Sequence, residues 1–460
     1  MNRFRLTAMT LLAVLLGAPA ALARSGSGSS GFGGGFGRGS GGGGRGFGRA
    51  FGHGHFFFIP IGGGGGGLLL IILVAVVVFV VLPRLVIWWR SFSQGRQSSG
   101  LAERRRVRQR QRRVELAAAE ASEDDPLFAP DVVKPAAAEL FLAVQAAWDA
   151  ADRVRLRGLV APGLLVEWER RLDDMERRAW RNRVEPIGTP RVDYVGLRHT
   201  GDGEDRVTVR IEAKLRDYVE DAWGQHVRRV DALSETSRVR EYWTLGRRDT
   251  HWILLSIEQG AEGTHALSEE IVASPWADER RMRDEALVEG AVADAVPAGT
   301  NLAELADLEF TGDARAAAND LSLADGRFAP DVLEVAARRV VQAWVEAVDG
   351  SDARLERVAE PEAVQALLHP EGPRTRIVVR GLEIRQIRIT GLDAATAPPA
   401  MELELELSGR RYLEDRDTAA VLAGNQARAA RFSEHWTLRL SGDDAEPWRL
   451  ASIRSPLARR

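Results

Sequence analysis

The sequence predicts an α+β protein that contains two copies of one domain and is anchored in a membrane by a single transmembrane helix. Three observations predict this architecture: a long apolar run near the N-terminus, a set of short motifs that occurs twice, and helical segments that precede alternating segments in each copy. Helices followed by antiparallel strands are typical of an α+β sandwich, in which the helices cover one face of the sheet. The length of 460 residues leaves room for two or three domains.

Residues 1–23 have the pattern of a secretory signal segment. Basic residues precede an apolar stretch, and Ala21-Leu22-Ala23 offers the small residues that a signal peptidase recognises. Residues 24–55 are glycine-rich and too poor in apolar side chains to fold. We therefore expect a targeting segment followed by a flexible segment.

Residues 56–89 are predicted to cross the membrane. They contain the unbroken apolar run from Leu68 to Leu82. As a helix, the whole segment is long enough to cross roughly 30 Å of hydrocarbon. Arginines are concentrated on its C-terminal side. The positive-inside rule therefore places the rest of the chain in the cytoplasm.

Residues 90–120 form an arginine-rich segment next to the predicted span. Basic side chains beside a cytoplasmic leaflet gain roughly 1 kcal/mol each from its negative potential, which predicts binding to anionic phospholipid. Nucleic-acid binding is the rival interpretation, and it is disfavoured because no aromatic side chains alternate with the arginines. The predicted lipid-binding residues are Arg104, Arg105, Arg106, Arg108, Arg110, Arg112 and Arg113.

Two groups of motifs indicate an internal duplication. The sequence Phe128–Val132 recurs as Phe328–Val332, in each case after an alanine-rich, acidic stretch. Near the other end of each copy, Glu241–Leu245 matches Glu434–Leu438. Two copies of one domain explain this better than a solenoid, because each copy exceeds a hundred residues.

Within a copy, helical segments come first and strands follow. Apolar and polar residues alternate in Val207–Ile211 and Leu403–Leu407, which predicts half-buried strands. The predicted domains are residues 121–260 and 316–460. Residues 261–315 are not low-complexity, so we expect them to form helices that bridge the domains. The two copies should then pack as one unit.

The composition excludes several classes of site. The chain has no cysteine, which excludes disulfides, thiolate nucleophiles and cysteine-ligated zinc or iron-sulfur sites. The histidines of the predicted domains have no partner at metal-ligand spacing, so no metal site and no cofactor are predicted. The large aromatic residues Trp148, Trp168, Trp180 and Trp243 are expected in the core.

The first copy combines the predicted sheet with the motifs Ala147-Trp148-Asp149-x-x-Asp152, Pro162-Gly163-Leu164-Leu165, Glu241-Tyr242-Trp243-Thr244-Leu245 and Trp252-Ile253-Leu254. This combination resembles the Tim forty-four-like (Tim44-like) domain family. The resemblance is best over about Phe128 to Gln259 and weaker over Phe328 to Ile453. The family is named for the scaffold subunit of the mitochondrial inner-membrane import motor, and it has bacterial members with a signal-like segment and a single span.

This resemblance implies a cone-like fold of the nuclear-transport-factor-two superfamily, in which helices pack on a curved antiparallel sheet. It also implies a non-catalytic scaffold or adaptor at the bacterial inner membrane, with domains that contact anionic lipid and bind protein partners. Protein transport or the assembly of membrane-protein complexes are the processes that such a role suggests. Duplicated domains with exposed strand edges also make self-association plausible.

A pocket at the open end of each cone is the remaining candidate site. Tyr218, Asp221 and Trp223 would line it in the first copy, and Tyr412 and Asp415 in the second. The alternative interpretation is that these residues face solvent on the sheet. A ligand in this pocket would favour a small-molecule or lipid sensor, or a pocket enzyme of the same superfamily. We predict a scaffold rather than an enzyme because no nucleophile-base pair is evident.

Overall fold

The computed structural model describes residues 104–201, 204–227, 236–293, 308–349 and 352–454. The predicted signal, glycine-rich and transmembrane segments lie outside these ranges. Among the helices in the described ranges, none combines the length and the apolar composition that crossing a bilayer requires. The first described element is helix α1, which covers residues 104–124.

The first half of the molecule consists of helices followed by an antiparallel sheet. Its helices are α2 (Pro130–Asp149), α3 (Arg153–Leu159) and α4 (Pro162–Arg177). Both α2 and α4 begin with a proline, which suits the first helical position because the missing N–H would be unpaired there. The strands pair in chain order and are β1 (Arg181–Arg198), β2 (Arg206–Glu220), β3 (Thr236–Arg248) and β4 (His251–Gln259).

The second half repeats this order of elements. Its helices are α6 (Ala314–Ser322), α7 (Pro330–Asp349), α8 (Ala353–Val358) and α9 (Pro361–Leu368). Its antiparallel strands are β6 (Thr375–Asp393), β7 (Ala400–Asp415), β9 (Ala430–Leu440) and β10 (Trp448–Arg454). The short strand β8 (Val421–Gly424) pairs with β7, and β5 (Leu308–Phe310) adds a parallel edge next to β6. The structure is therefore a mixed α+β fold with helices packed on antiparallel sheets.

Each half has its own hydrophobic core between its helices and its sheet. Trp148, Trp168 and Trp243 are fully buried in the first core, as the sequence predicts. Trp180 is only half-buried, and the guanidinium of Arg178 lies 5.2 Å from its ring centroid. The difference arises because Trp180 occupies the turn between α4 and β1 instead of a position inside either element.

The segment between the halves is partly helical. It contains the short 3-10 helices Gly263–Leu267 and Pro275–Ala277, and the longer helix α5 (Glu279–Val292). Val288 and Ala291 of α5 belong to the hydrophobic core of the second half. Helix α5 is therefore packed as a part of the second half, and residues 294–307 lie outside the described ranges.

Candidate functional site

Helix α1 has an apolar stripe and a charged remainder. Val114, Ala118 and Ala121 follow one another at three- and four-residue spacing and are buried in the first core. Six of the seven predicted lipid-binding arginines are exposed: Arg104, Arg105, Arg106, Arg108, Arg112 and Arg113. Arg110 is only 3% exposed. Lipid binding by the exposed arginines stays a prediction.

A buried ionic cluster joins the two halves, and we call it the seam. The first half and the segment after it contribute three glutamates, an arginine and a histidine. The second half contributes three arginines, a glutamate and a tyrosine. The seam residues are Glu167, Arg171, Glu258, Glu262, His265, Arg376, Arg380, Tyr412, Glu414 and Arg416.

Helix α4 supplies one end of the seam. The Glu167 carboxylate accepts hydrogen bonds from Arg416 Nε at 2.9 and 3.0 Å and from Arg376 Nη1 at 3.3 Å. Burial alone would raise the pKa of Glu167, but these guanidinium groups outweigh it and lower the pKa. Arg171 Nη2 lies 3.3 Å from Glu414 Oε1, and both side chains are at most 1% exposed. Burial nevertheless raises the pKa of Glu414 to about 7.

The end of β4 and the helical turn after it supply the other end of the seam. Tyr412 Oη donates to Glu262 Oε1 at 2.6 Å, and Arg380 lies 3.6 Å from both Glu258 and Glu262. His265 Nε2 lies 2.6 Å from Glu258 Oε2. Burial favours the neutral imidazole, but the Glu258 carboxylate raises the pKa of His265 to about 10. In turn, His265 and Arg380 outweigh the effect of burial on Glu258 and lower its pKa to about 2.

The seam separates two hydrophobic cores with charged groups. Removing one partner from a buried ion pair costs about 3–5 kcal/mol, because the remaining charge stays buried. Charge-assisted hydrogen bonds are also directional. The seam therefore supplies charged, directional contacts between the two halves.

The predicted pocket residues of the first copy lie at the end of β2. The Tyr218 ring packs 4.3 Å from the ring of His226. The Asp221 carboxylate accepts hydrogen bonds from the backbone N–H groups of Trp223 and Gln225, both at 2.9 Å. The Trp223 side chain is 83% exposed. Asp221 is thus engaged in holding the turn that follows β2.

The predicted pocket residues of the second copy have two different roles. Tyr412 is fully buried and contacts Glu262 in the seam. Asp415 accepts hydrogen bonds from the backbone N–H groups of Asp417 at 3.1 Å and Thr418 at 2.9 Å. In both halves, therefore, the aspartate of the predicted pocket holds a turn.

A cleft of about 550 Å³ opens beside the C-terminal end of α1. Its lining residues are Asp124, Asp125, His199, Gly201, Asp205, Arg247, Pro275 and Trp276. His199 Nδ1 lies 3.0 Å from Asp205 Oδ1, which also accepts from the backbone N–H groups of Thr200 at 2.8 Å and Gly201 at 3.2 Å. Because a carboxylate only accepts, Nδ1 of His199 carries the proton in this contact.

Metal chemistry finds no support in this geometry. Within the described part of the chain, no group of three or more histidine, aspartate or glutamate side chains is arranged to hold a metal ion. The carboxylates of the seam are engaged with arginines, a histidine and a tyrosine.

The sequence of the first half matches a known family. Residues 114–259 match the Tim44-like domain family. The matched region begins inside α1 and ends with β4, so it includes α2, α3, α4 and the complete first sheet. This match confirms the resemblance over the first half and extends it back into α1.

The solved structures that match have low sequence identity and low TM-scores. The intermembrane space region of the chloroplast protein ARC6 is 11% identical, with 27% of this chain and 92% of that chain covered and a TM-score of 0.22. An Ntf2-like protein involved in plasmid conjugation is 11% identical, with 68% and 92% covered and a TM-score of 0.16. A cystatin-like protein from Ruminococcus gnavus is 8% identical, with 73% and 95% covered and a TM-score of 0.11. No curated protein matches the sequence.

The seam and the cleft are the features that the sequence did not predict. Glu167 and Arg416 are 249 positions apart, and no local pattern connects them. His199 and Asp205 lie in the connection between β1 and β2. A histidine and an aspartate six residues apart across a short connection between strands can meet, so their spacing is a sequence signal for the cleft.

Proposed function

We propose that this protein is a membrane-anchored, non-catalytic scaffold or adaptor. In this proposal α1 binds anionic lipid, and the two folded halves present surfaces to protein partners. The match of residues 114–259 to the Tim44-like family suggests the scaffold role. The observation that carries the proposal is that α1 packs its apolar stripe on the matched domain while six of its arginines stay exposed.

Electrostatics support the lipid-binding part of the proposal. The exposed arginines lie within about 25 residues of the predicted span, which keeps them close to the headgroups of the cytoplasmic leaflet. Each would gain roughly 1 kcal/mol from the negative surface potential. The six together would hold the matched domain against a membrane that contains acidic phospholipid.

The order of elements supports a second domain of the same kind. Helix α7 begins at Pro330 after a buried phenylalanine, as α2 begins at Pro130. In both halves two shorter helices follow, and then the antiparallel strands. We infer that the second half is a divergent Tim44-like domain, and that the seam makes the pair a single binding unit.

The lipid-binding part can be tested with the full chain in nanodiscs that mix phosphatidylglycerol and phosphatidylcholine. Native mass spectrometry would count the acidic lipids that stay bound to the protein after it is released from the nanodisc. Changing the six exposed arginines to glutamine should remove the enrichment of phosphatidylglycerol. The six positions are Arg104, Arg105, Arg106, Arg108, Arg112 and Arg113.

A matched control removes six positive charges elsewhere on the exposed surface. The positions are Arg155, Arg238, Arg315, Arg357, Arg428 and Arg431. This control should keep the lipid enrichment of the unchanged chain. If both sextuple variants lose the same amount of bound phosphatidylglycerol, net charge explains the binding and the role of α1 is refuted.

The scaffold part can be tested by crosslinking the full chain in its native membranes and identifying the co-purified proteins by mass spectrometry. We expect a small set of specific protein partners. Recovery of lipid or of a small molecule without any protein would contradict a scaffold and would direct attention to ligand binding.

A further inference from the structure

The cleft beside α1 has an excess of negative charge. Asp124, Asp125 and Asp205 line it, and the cation among its lining arginine and lysine side chains is Arg247. Arg247 Nη1 binds the Asp125 carboxylate and lies 3.8 Å from Asp205 Oδ2. Asp124 is exposed, and it forms no ion pair with any described residue. The guanidinium of Arg247 therefore already binds in the cleft, and the carboxylate of Asp124 remains available to a second guanidinium.

Helix α1 adds to this negative potential through its direction. Asp124 is the last residue of α1 and lines the cleft, so the C-terminal end of the helix lies at the cleft. The last carbonyl groups of a helix carry a partial negative charge that favours cations within about one turn. The backbone of α1 and the acidic side chains of the cleft therefore both favour a positively charged ligand.

Two further lining residues suit a planar cation. The Trp276 side chain is 79% exposed, and the face of an indole attracts a guanidinium group. His199 is only 7% exposed and is oriented by Asp205, which holds Nδ1. In the neutral ring Nε2 is then an acceptor, and no described residue donates to it. Trp276 thus offers a face on which a planar cation can stack, and His199 Nε2 offers an acceptor for one of its N–H groups.

We propose that this cleft binds an arginine side chain of a protein partner. The guanidinium stacks on Trp276 and hydrogen-bonds to the carboxylate of Asp124. A planar guanidinium suits both contacts better than the compact ammonium group of lysine. The volume of about 550 Å³ lies within the range of known ligand pockets and also admits residues that flank the arginine in an extended segment. The inference rests on the proposed scaffold function, because it names the chemistry of the partner.

The test uses the full chain in nanodiscs of phosphatidylcholine alone, so that no acidic lipid attracts the probe. The probe is a fluorescein-labelled glycine-rich peptide with a central arginine, and binding is measured by fluorescence anisotropy. Peptides with lysine or with citrulline in place of arginine complete the series. We expect the arginine peptide to bind best and the citrulline peptide, which lacks the charge, to bind worst.

Variants of exposed residues locate the binding without disturbing the fold. Trp276→Ala and Asp124→Asn should each weaken the arginine peptide about threefold, and the double variant about tenfold. The control is Leu323→Ala with Asp444→Asn, which removes an exposed apolar side chain and an exposed carboxylate far along the chain from the cleft residues. This control should bind as tightly as the unchanged chain.

Two results would overturn the inference: no binding of the arginine peptide to the unchanged chain, or an equal loss in the control. Either result leaves the lipid enrichment and the crosslinked partners untouched, so the proposed function would stand without the cleft. If the peptide binds at the cleft but crosslinking recovers no protein, the scaffold function fails and the arginine site remains. The two failures are therefore distinguishable.

Discussion

Glu167 is the most informative residue to change, because several groups of the second half depend on its single carboxylate. Its side chain is 2% exposed, and those of Arg376 and Arg416 are 7% and 13% exposed. Removing one partner from a buried ion pair costs about 3–5 kcal/mol, since the remaining charge stays buried. Glutamine keeps one acceptor oxygen, so we expect Glu167→Gln to lower the free energy of unfolding by about 3 kcal/mol, the lower end of that range.

The assay is urea unfolding of the full chain in detergent, followed by tryptophan fluorescence, because each core contains buried tryptophans. Glu169→Gln on the same helix is the matched control. Glu169 pairs with Arg157 at 3.8 Å, and these side chains are 33% and 69% exposed. A surface pair of this kind contributes about 0–1 kcal/mol, so the control should change little.

An equally small decrease in the free energy of unfolding for Glu167→Gln and Glu169→Gln would contradict this prediction. In that case the seam would not couple the halves, and Glu167 would behave as a surface residue. The two halves can also unfold in separate urea transitions. If Glu167→Gln then shifts one transition and leaves the other unchanged, the shifted transition belongs to the half that depends on the seam. Both outcomes can be read from the same pair of unfolding curves.

Two further predictions concern the seam. The pKa of His265 is raised from 6.5 to about 10, so its stabilisation is complete below pH 6.5 and is lost as the pH rises towards 10; that of Glu258 is lowered from 4.5 to about 2, so its stabilisation is lost as the pH falls below 4.5. The pKa of Glu414 is raised from 4.5 to about 7, so its contribution to stability is lost as the pH rises from 4.5 to 7. Urea midpoints should therefore be highest near pH 4.5 and fall from there to pH 10, and a rise from pH 6.5 to 10 would contradict this. Gly381→Ala should lower the free energy of unfolding by about 3 kcal/mol. Gly381 has a φ of +54°, and an added Cβ would lie only 2.7 Å from the Cβ of His265. Gly188→Ala, with a φ of +77° and no atom within 4 Å, should cost about 1 kcal/mol in the same unfolding assay, and equal losses would refute the contact.

Local signals explain what could be predicted of the fold. The alternating segments 207–211 and 403–407 lie in β2 and β7, because alternation reports directly which face of a strand is buried. Pro130 and Pro330 each begin a 20-residue helix after a buried phenylalanine. These features depend on residues that are close together in the chain, so they can be predicted from a single sequence.

The seam depends on distant neighbours, and the sequence alone could not predict it. A charged residue in an alternating strand is expected to face water, yet Arg376 and Glu414 are buried because the first half covers them. Arginines are also so frequent in this chain that no single one stands out. Tyr412 shows the same limit: it is predicted to line a pocket, but it lies buried on β7, and nothing local indicates that its hydroxyl meets Glu262.

The continuity of α1 separates two electrostatic tasks along one helix. From Arg113 to Asp124 the helix rises about 16 Å at about 1.5 Å per residue. That distance is about twice the Debye length of about 8 Å at physiological ionic strength. A membrane that attracts the arginines at one end therefore exerts only a weak field at the cleft on the other. Changes in lipid composition should accordingly alter how firmly the domain is held to the bilayer without altering which peptide it selects.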